Sequence, residues 1–259
     1  MNEQEKAIGV FDSGVGGIST LQVLAKMLPQ ENFIFYGDSA NAPYGEKSGA
    51  EVQVLANEVV TQLQAQAVKA VVIACNTATS AAKTELIAQH PTLPILGIEP
   101  ALKAAVDAGK QHILVMATPL TLSLAKYKTQ LAKWGQQQAI YSLPCPGLAD
   151  LIEGGAAALP QIKVALNRLL ATVRQQPIDA VVLGCTHYPF ITDLIREQLG
   201  QPVTFYTGYE GLGRNLQHQL QQRNLLRTTN AHPTVRFMSS RDTPAELALY
   251  QQLFAQGLK

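Results

Sequence analysis

Two short segments of the chain decide its predicted fold: residues 71–79, VVIACNTAT, and residues 181–189, VVLGCTHYP. Each is an apolar, β-branched run that ends in a cysteine and continues into small polar residues able to open a helix. The two cysteines, Cys75 and Cys185, stand 110 positions apart. Self-similarity at a long spacing predicts two related halves.

A weaker repeat supports the same division, because residues 8–14, IGVFDSG, resemble residues 113–119, ILVMATP, at an offset of 105. Any two strands of an α/β protein share part of this pattern. The equivalent positions of the two cysteines nevertheless favour a true repeat. Parallel sheets bind ligands at the carboxyl ends of their strands, so we expect a site in the cleft between the halves.

Short apolar runs alternate with longer amphipathic stretches along the chain, which is typical of βαβ units. We predict eight strands, at residues 8–11, 32–36, 70–74, 94–98, 112–116, 138–143, 180–184 and 203–206. We predict nine helices, at residues 17–27, 50–67, 80–89, 100–108, 121–134, 161–174, 191–199, 210–223 and 243–256.

The predicted fold class is α/β, with two pseudo-symmetric domains that each contain a mainly parallel sheet flanked by helices. The active site is expected in the interdomain cleft. The first domain is predicted to be discontinuous, with residues 1–97 and 208–259, and the second to be the insert of residues 98–207.

Composition excludes several classes of protein. The 259 residues carry 20 Lys and Arg against 19 Asp and Glu, a net charge of +1, and 47% are hydrophobic. This apolar content is ordinary for a globular chain, and the lack of a basic block argues against nucleic acid as a partner. No run approaches the roughly 18 apolar residues of a membrane helix, and the N-terminus lacks the apolar core of a secretion signal. We therefore expect a cytoplasmic protein with no membrane partner.

The three cysteines, Cys75, Cys145 and Cys185, include no C-x-x-C pair and are expected to be reduced thiols. Cys145 lies between two prolines and is interpreted as a small buried apolar residue. Only Cys185 and His187 are close enough in sequence to suggest shared ligation, so no metal site is expected.

Two loops offer anion-binding chemistry. Residues 12–17, DSGVGG, follow a predicted strand, and their glycines can expose backbone N–H groups at a helix start. The motif is neither a dinucleotide fingerprint nor a P-loop, and it could equally be a turn capped by Asp12. Residues 43–45, PYG, lie in a loop whose Gly45 N–H could bind a carboxylate, although a simple turn is the more economical interpretation.

The two cysteine turns suit one kind of chemistry. Each thiol is predicted to end a strand just before a helix N-terminus, a position that lowers a thiol's pKa. Two facing thiols can invert a carbon centre, because one thiolate removes a proton while the opposite thiol returns one. A nucleophilic hydrolase needs only one cysteine and a base. His187 could tune Cys185, or be a core histidine, and Asp12 could tune Cys75.

Four motifs together make the chain resemble the glutamate racemases, cofactor-independent enzymes of the aspartate/glutamate racemase superfamily. The motifs are FDSGVGG (11–17), PYG (43–45), CNTATS (75–80) and GCTHYP (184–189), and the resemblance extends over residues 8–206. It implies an isomerase that interconverts L- and D-glutamate without a cofactor and supplies D-glutamate for peptidoglycan. It also implies a homodimer.

The resemblance further implies individual roles. Cys75 and Cys185 become the proton donor and acceptor, with Cys75 assigned to D-glutamate and Cys185 to L-glutamate. Glu153 matches an acidic residue of the family that assists catalysis. Asp12 and His187 are also implied to assist catalysis. The remaining implied substrate contacts are Asp12, Ser13, Tyr44, Gly45, Asn76, Thr77, Thr186 and His187.

The chain departs from its relatives at two places. Asn41 stands where relatives often carry arginine, and residues 206–210, YTGYE, replace a stretch that usually contains Asp-Ser. None of the site motifs contains arginine or lysine. We therefore expect neutral donors, chiefly backbone N–H, hydroxyl and amide groups, to hold the substrate carboxylates.

Three other functions remain open from the residues alone. A related racemase could act on aspartate or another small amino acid, although DSGVGG together with GCTHYP favours glutamate. A two-lobed module could bind an acidic amino acid without chemistry, but such a module has no need of two apposed thiols. A secondary role as an interaction protein has no positive sign in the sequence.

Overall fold

The structure is a computed structural model that describes residues 2–229 and 232–256. The predicted first domain includes residues 1, 230–231 and 257–259, which lie outside this description. Within the described residues the strands are β1 (Ile8–Asp12), β2 (Phe33–Gly37), β3 (Ala70–Ile73), β4 (Ile95–Gly97), β5 (His112–Ala117), β6 (Ala139–Pro144), β7 (Ala180–Gly184), β8 (Thr204–Tyr206) and β9 (Val235–Ser239).

The helices alternate with these strands, as the amphipathic stretches predict. They are α1 (Ile18–Met27), α2 (Gly49–Ala65), α3 (Asn76–Gln89), α4 (Leu102–Asp107), α5 (Pro119–Ser123), α6 (Ala125–Trp134), α7 (Leu148–Glu153), α8 (Leu159–Leu170), α9 (Thr192–Leu199), α10 (Tyr209–Gln222) and α11 (Pro244–Gln256).

The strands form two separate parallel sheets, which confirms the predicted fold class. The first has the order β4-β3-β1-β2-β9 and the second the order β6-β5-β7-β8. Read from its other edge, the second sheet is β8-β7-β5-β6, so β1 to β4 correspond in order to β5 to β8. Cys75 follows β3 and Cys185 follows β7. The two thiols therefore occupy equivalent strand ends.

Both faces of each sheet are covered by helices, so the strands are apolar on both sides. In the first sheet, Val10 packs in a core with α1, α10 and α11, whereas Phe11 packs in a core with α2 and α3. The second sheet is covered by α7, α8 and α9 on one face and by α4 and α6 on the other. Burial on both faces explains why the strands read as continuous apolar runs.

Three elements differ from the sequence prediction. The strand β9 was not predicted, because it is a half-exposed edge strand whose pairing with β2 comes from far along the chain. The predicted helix 121–134 is two helices, since Leu124 has extended backbone angles (φ −77°, ψ 150°) that separate α5 from α6. The short helix α7 was not predicted. It begins directly after Gly147, which adopts a left-handed conformation (φ 68°).

The sheets divide the chain as the predicted domains would, with β1–β4 and β9 in one and β5–β8 in the other. The boundaries at 97/98 and 207/208 stay a prediction. Across residues 2–229 and 232–256, no helix has the length and apolar character needed to cross a membrane.

Candidate active site

A narrow cavity lies between the carboxyl ends of the two sheets. The predicted site residues that line it are Ser13, Tyr44, Gly45, Cys75, Asn76, Thr77, Glu153, Cys185, Thr186 and His187. Asp12 is the exception, because it is fully buried and is not part of the lining. Motifs separated by more than 100 positions in the sequence therefore meet at one cleft.

Cys75 caps the N-terminus of α3, and its Sγ accepts a hydrogen bond from the Ala78 N–H at 3.4 Å. Its Sγ also lies 3.9 Å from Ser13 Oγ. The expected lowering of its pKa is wrong. Burial raises the pKa of the Cys75 thiol well above its usual range and the Asp12 carboxylate raises it further, which together outweigh the Ala78 N–H. Cys75 is therefore a thiol near neutral pH.

Cys185 has a different environment. Its Sγ lies 3.6 Å from Nδ1 of His187, whose Nε2 lies 2.9 Å from Oε1 of Glu153. Burial lowers the pKa of His187, but the hydrogen bonds to Cys185 and Glu153 raise it, and the net pKa lies well above its usual value. Unlike Cys75, Cys185 does not directly precede a long helix, because a single turn, Tyr188–Ile191, comes before α9.

The carboxylate of Glu153 completes this chain of contacts. Burial raises its pKa, but the hydrogen bond and the positive charge of His187 outweigh burial, so the net pKa of Glu153 lies below its ordinary value. Glu153 and His187 therefore support each other's charged forms.

Asp12 ties the two sheets together beneath the cavity. Its Oδ2 accepts from the Gly17 N–H at 2.8 Å and from Thr186 Oγ1 at 3.3 Å. Burial raises the pKa of Asp12, although His187 and the Gly17 N–H act in the opposite direction. Asp12 thus positions the turn after Cys185, and the structure shows no direct bond from it to Cys75.

The loop after β2 presents Tyr44 and Gly45 to the cavity. Asp38 organises this loop, because it accepts from the Tyr44 hydroxyl and from Asn41 Nδ2, the latter at 2.9 Å. Asn41 is therefore hydrogen-bonded directly to Asp38. A Cβ on Gly45 would lie 2.7 Å from Thr118 Cγ2, so only glycine allows this close approach.

Two threonines were missed by sequence reasoning: Thr118, which is in the site, and Thr121, which is hydrogen-bonded to it. Thr118 lines the cavity, and its Oγ1 lies 3.0 Å from Thr77 Oγ1 and 2.9 Å from Thr121 Oγ1. Thr118 is the penultimate residue of the second repeated segment, the position that Ser13 has in the first, so the repeat was a signal that could have found it. These hydroxyls add neutral donors from the second sheet to those of the first.

The mouth of the cavity contains further residues that the sequence did not reveal. Cys145 is buried as expected, with its Sγ 3.4 Å from the Leu143 carbonyl, but it also lines the cavity. Glu46 and Asp150 line the cavity too, and Glu46 Oε1 accepts from the Gly147 N–H at 3.1 Å. This bond joins the two halves of the molecule across the opening.

The lining has the neutral donors that the sequence predicts. Among the residues that the structure describes, none of those lining the cavity is arginine or lysine. Asn76 Oδ1 is buried and has no hydrogen-bond partner within the described chain, so it is available to a ligand. No group of three or more His, Cys, Asp or Glu in residues 2–229 and 232–256 could hold a metal ion.

Comparison with known proteins places this geometry in a family. Residues 8–206 match the Asp/Glu/hydantoin racemase family. A glutamate racemase from Clostridium novyi is 43% identical over 248 residues, which cover 95% of this chain and 96% of the relative. The glutamate racemase of Francisella tularensis, solved in complex with D-glutamate, is 32% identical with a TM-score of 0.83, over 98% of this chain and 95% of that one. A Bacillus anthracis glutamate racemase isoform is 29% identical with a TM-score of 0.85, over 98% and 96%. The chain belongs to the Asp/Glu/hydantoin racemase family and, within it, to the glutamate racemases.

Proposed function

We propose that this enzyme interconverts L- and D-glutamate by proton transfer between two thiols, Cys75 and Cys185, without a cofactor. One observation carries the proposal. The two thiols follow equivalent strands of two related sheets and line the same cavity. Thiols related in this way can serve the two faces of one substrate carbon.

In this proposal the two thiols differ in protonation at any instant, as two opposed bases must. Burial and Asp12 keep Cys75 a thiol. For the reaction from L-glutamate we therefore take Cys185, whose sulfur lies 3.6 Å from Nδ1 of His187, as the base. In this state Cys185 removes the α-proton of L-glutamate, and the electron pair moves into the carboxylate. Cys75 then gives its proton to the opposite face of the carbon. The product is D-glutamate, with Cys185 as thiol and Cys75 as thiolate, and D-glutamate reacts in reverse from that state.

Neutral donors stabilise the carbanion-like state in this proposal. The α-proton is far less acidic than a thiol, so negative charge on the carboxylate must be met by fixed donors. Ser13, Thr77 and Gly45 lie in the lining, and we propose the two hydroxyls and the Gly45 N–H as these donors. Asn76 Oδ1, with no partner in the described chain, can accept from the substrate ammonium.

The test is racemisation by purified protein without added cofactor. We expect solutions of L-glutamate and of D-glutamate each to lose optical rotation, at a rate that a chelator does not change. Racemisation of aspartate but not glutamate would instead indicate the related activity. Binding of glutamate without any change of rotation would indicate a binding module.

Cysteine variants test the mechanism. Cys75→Ser and Cys185→Ser should each lose racemisation, because serine does not form an alkoxide near neutral pH. Each should keep a single deprotonation, measured in ²H₂O with an analogue of one enantiomer that carries a β leaving group. Cys145→Ser is the matched control, since it changes a third buried thiol of the cavity. The two-thiol scheme fails if either catalytic variant racemises at a near-parent rate.

The wider role is proposed from membership among the glutamate racemases. We propose that the enzyme is cytoplasmic, forms a homodimer and supplies D-glutamate for peptidoglycan. Sedimentation equilibrium of the purified chain tests the dimer. Growth of a D-glutamate-requiring bacterium that expresses the chain tests the supply role, with the Cys75→Ser variant as the control.

A further inference from the structure

Tyr209 lies where the chain returns from the second sheet to the first, inside the segment that departs from the family pattern. It is the first residue of α10 and stands three positions after the last residue of β8. Its side chain is buried, and its hydroxyl lies 2.6 Å from Oγ of Ser19, a fully buried residue of α1. A separation of 2.6 Å is within the usual range for an O–H···O hydrogen bond, so the two hydroxyls are hydrogen-bonded to each other.

The available protons determine the direction of this contact. Ser19 Oγ lies 2.7 Å from the Gly16 carbonyl and 3.2 Å from the Thr186 carbonyl, and both can only accept. Ser19 has one proton for these two acceptors, so Tyr209 must donate to the Ser19 oxygen. Burial raises the pKa of Tyr209 well above its usual range, so the phenol keeps its proton.

Ser19 contacts the second half of the molecule at the turn that carries one of the two thiols. Thr186, whose carbonyl faces Ser19, is the residue after Cys185. The approach is close, because a Cβ on Gly16 would lie 2.5 Å from Thr186 Oγ1 and 2.7 Å from the His187 ring. With its oxygen held by Tyr209, Ser19 can direct its proton only towards Gly16 and Thr186.

We propose that Tyr209 is a positioning residue for proton transfer at Cys185, acting through Ser19 on the Thr186 carbonyl. The proposal rests on the two-thiol function proposed above. Tyr209 touches neither thiol. It fixes the distance between the Cys185 turn and Gly16. It therefore also fixes the distance from the Cys185 sulfur to the substrate carbon, whose other face is next to Cys75.

The test compares Tyr209→Phe, Ser19→Ala and the double variant. We expect kcat/KM to fall about tenfold in Tyr209→Phe, because small misplacements of a reacting group are costly. Since the equilibrium constant for two enantiomers is 1, the fall must be equal in both directions. The double variant should lose no more than Ser19→Ala alone, because Tyr209 acts through Ser19.

Isotope effects separate positioning from a general structural defect. Deuterium at the α-carbon of L-glutamate reports proton removal by Cys185, and deuterium in D-glutamate reports removal by Cys75. If transfer at Cys185 is slowed, the isotope effect on kcat/KM should rise for L-glutamate and fall for D-glutamate. Loss of folded enzyme changes neither isotope effect.

Tyr127→Phe is the matched control, because Tyr127 is an equally buried tyrosine whose hydroxyl contacts Ser142 away from the cavity. It should keep the parent kinetics and isotope effects. Three results would overturn the proposal: a fall in kcat/KM of less than about twofold in Tyr209→Phe, an unchanged ratio of the two isotope effects, or additive losses in the double variant. Failure of the proposed function is distinct, since the parent would then not racemise or the cysteine variants would remain active.

Discussion

Oε1 of Glu153 lies 2.9 Å from Nε2 of His187, and the opposite ring nitrogen faces the sulfur of Cys185. The carboxylate therefore acts on the thiol through the imidazole. The side chain of Glu153 is 23% exposed and that of His187 only 4%, so solvent screens this interaction weakly.

Removal of the Glu153 charge should shift the pH dependence of racemisation. Glu153→Gln lowers the pKa of His187, because one of the hydrogen bonds that raise it loses its anionic acceptor. The active state has a protonated His187, so the alkaline limb of kcat/KM should move to lower pH. A pH profile from about pH 6 to pH 10 measures the shift.

The control for this profile is Asp193→Asn, which removes a 94% exposed carboxylate on α9. Its profile should match that of the parent. An alkaline limb in Glu153→Gln at or above the parent position contradicts the role of Glu153.

The same pair should couple to stability within a defined pH window. The folded pKa of His187 is raised, so its contribution is full below the unfolded value of about 6.5 and is lost as pH rises through the folded pKa. The folded pKa of Glu153 is lowered, so its contribution is full above the ordinary value and is lost as pH falls through the folded pKa.

A double-mutant cycle of Glu153→Gln and His187→Gln, followed by urea unfolding, measures this coupling. We expect about 1–2 kcal/mol between roughly pH 5 and pH 6.5, where both groups are charged, with a decline on either side. A coupling that does not change with pH would show that the contact is not ionic.

Gly16→Ala should damage activity strongly. The new Cβ would lie 2.5 Å from Thr186 Oγ1, so the Cys185 turn must move away from the first sheet. We expect kcat/KM to fall about 100-fold, since a shift of about 1 Å in a reacting group has this effect.

Gly49→Ala is the matched substitution, because its Cβ would meet nothing within 4 Å at the start of α2. It should keep full activity and gain about 0.4–1 kcal/mol of stability, since alanine restricts the unfolded chain. Steady-state kinetics and urea unfolding of both variants decide the comparison. Equal kinetics in the two variants would contradict the close contact at Gly16.

Tyr250→Phe should reduce stability. The Tyr250 hydroxyl donates to the buried Glu246 at 2.8 Å and lies 2.7 Å from Ser39 Oγ, at the base of the loop that carries Tyr44. Without this hydroxyl, the Glu246 carboxylate keeps its ion pair with Arg241, at 3.7 Å. We expect the free energy of unfolding to fall by about 1–3 kcal/mol, because a buried charged acceptor loses its donor.

Glu246→Gln in the Tyr250→Phe background tests the cause of this loss. It removes the buried charge, so the double variant should recover part of the stability. Greater instability in the double variant would contradict this cause, because it would show that the Glu246 charge stabilises the fold through Arg241.

Local patterns in the sequence determined the general fold and the identity of the central residues. The strands before Cys75 and Cys185 are recognisable because burial on both faces of a sheet makes them continuous apolar runs. Their equivalent positions predicted two related sheets, which the strand orders confirm. Such features depend on neighbouring residues alone and can therefore be read along the chain.

Only the tertiary structure decided how remote segments meet. The strand β9 depends on β2 for its pairing, more than 190 positions away, and Thr118 enters the site through Thr77. The pKa of Cys75 is the clearest case. Its place before a helix predicts a lower value, but burial between the halves and the Asp12 carboxylate raise it. Desolvation and electrostatic neighbours come from packing of the whole chain, and short-range sequence patterns do not contain them.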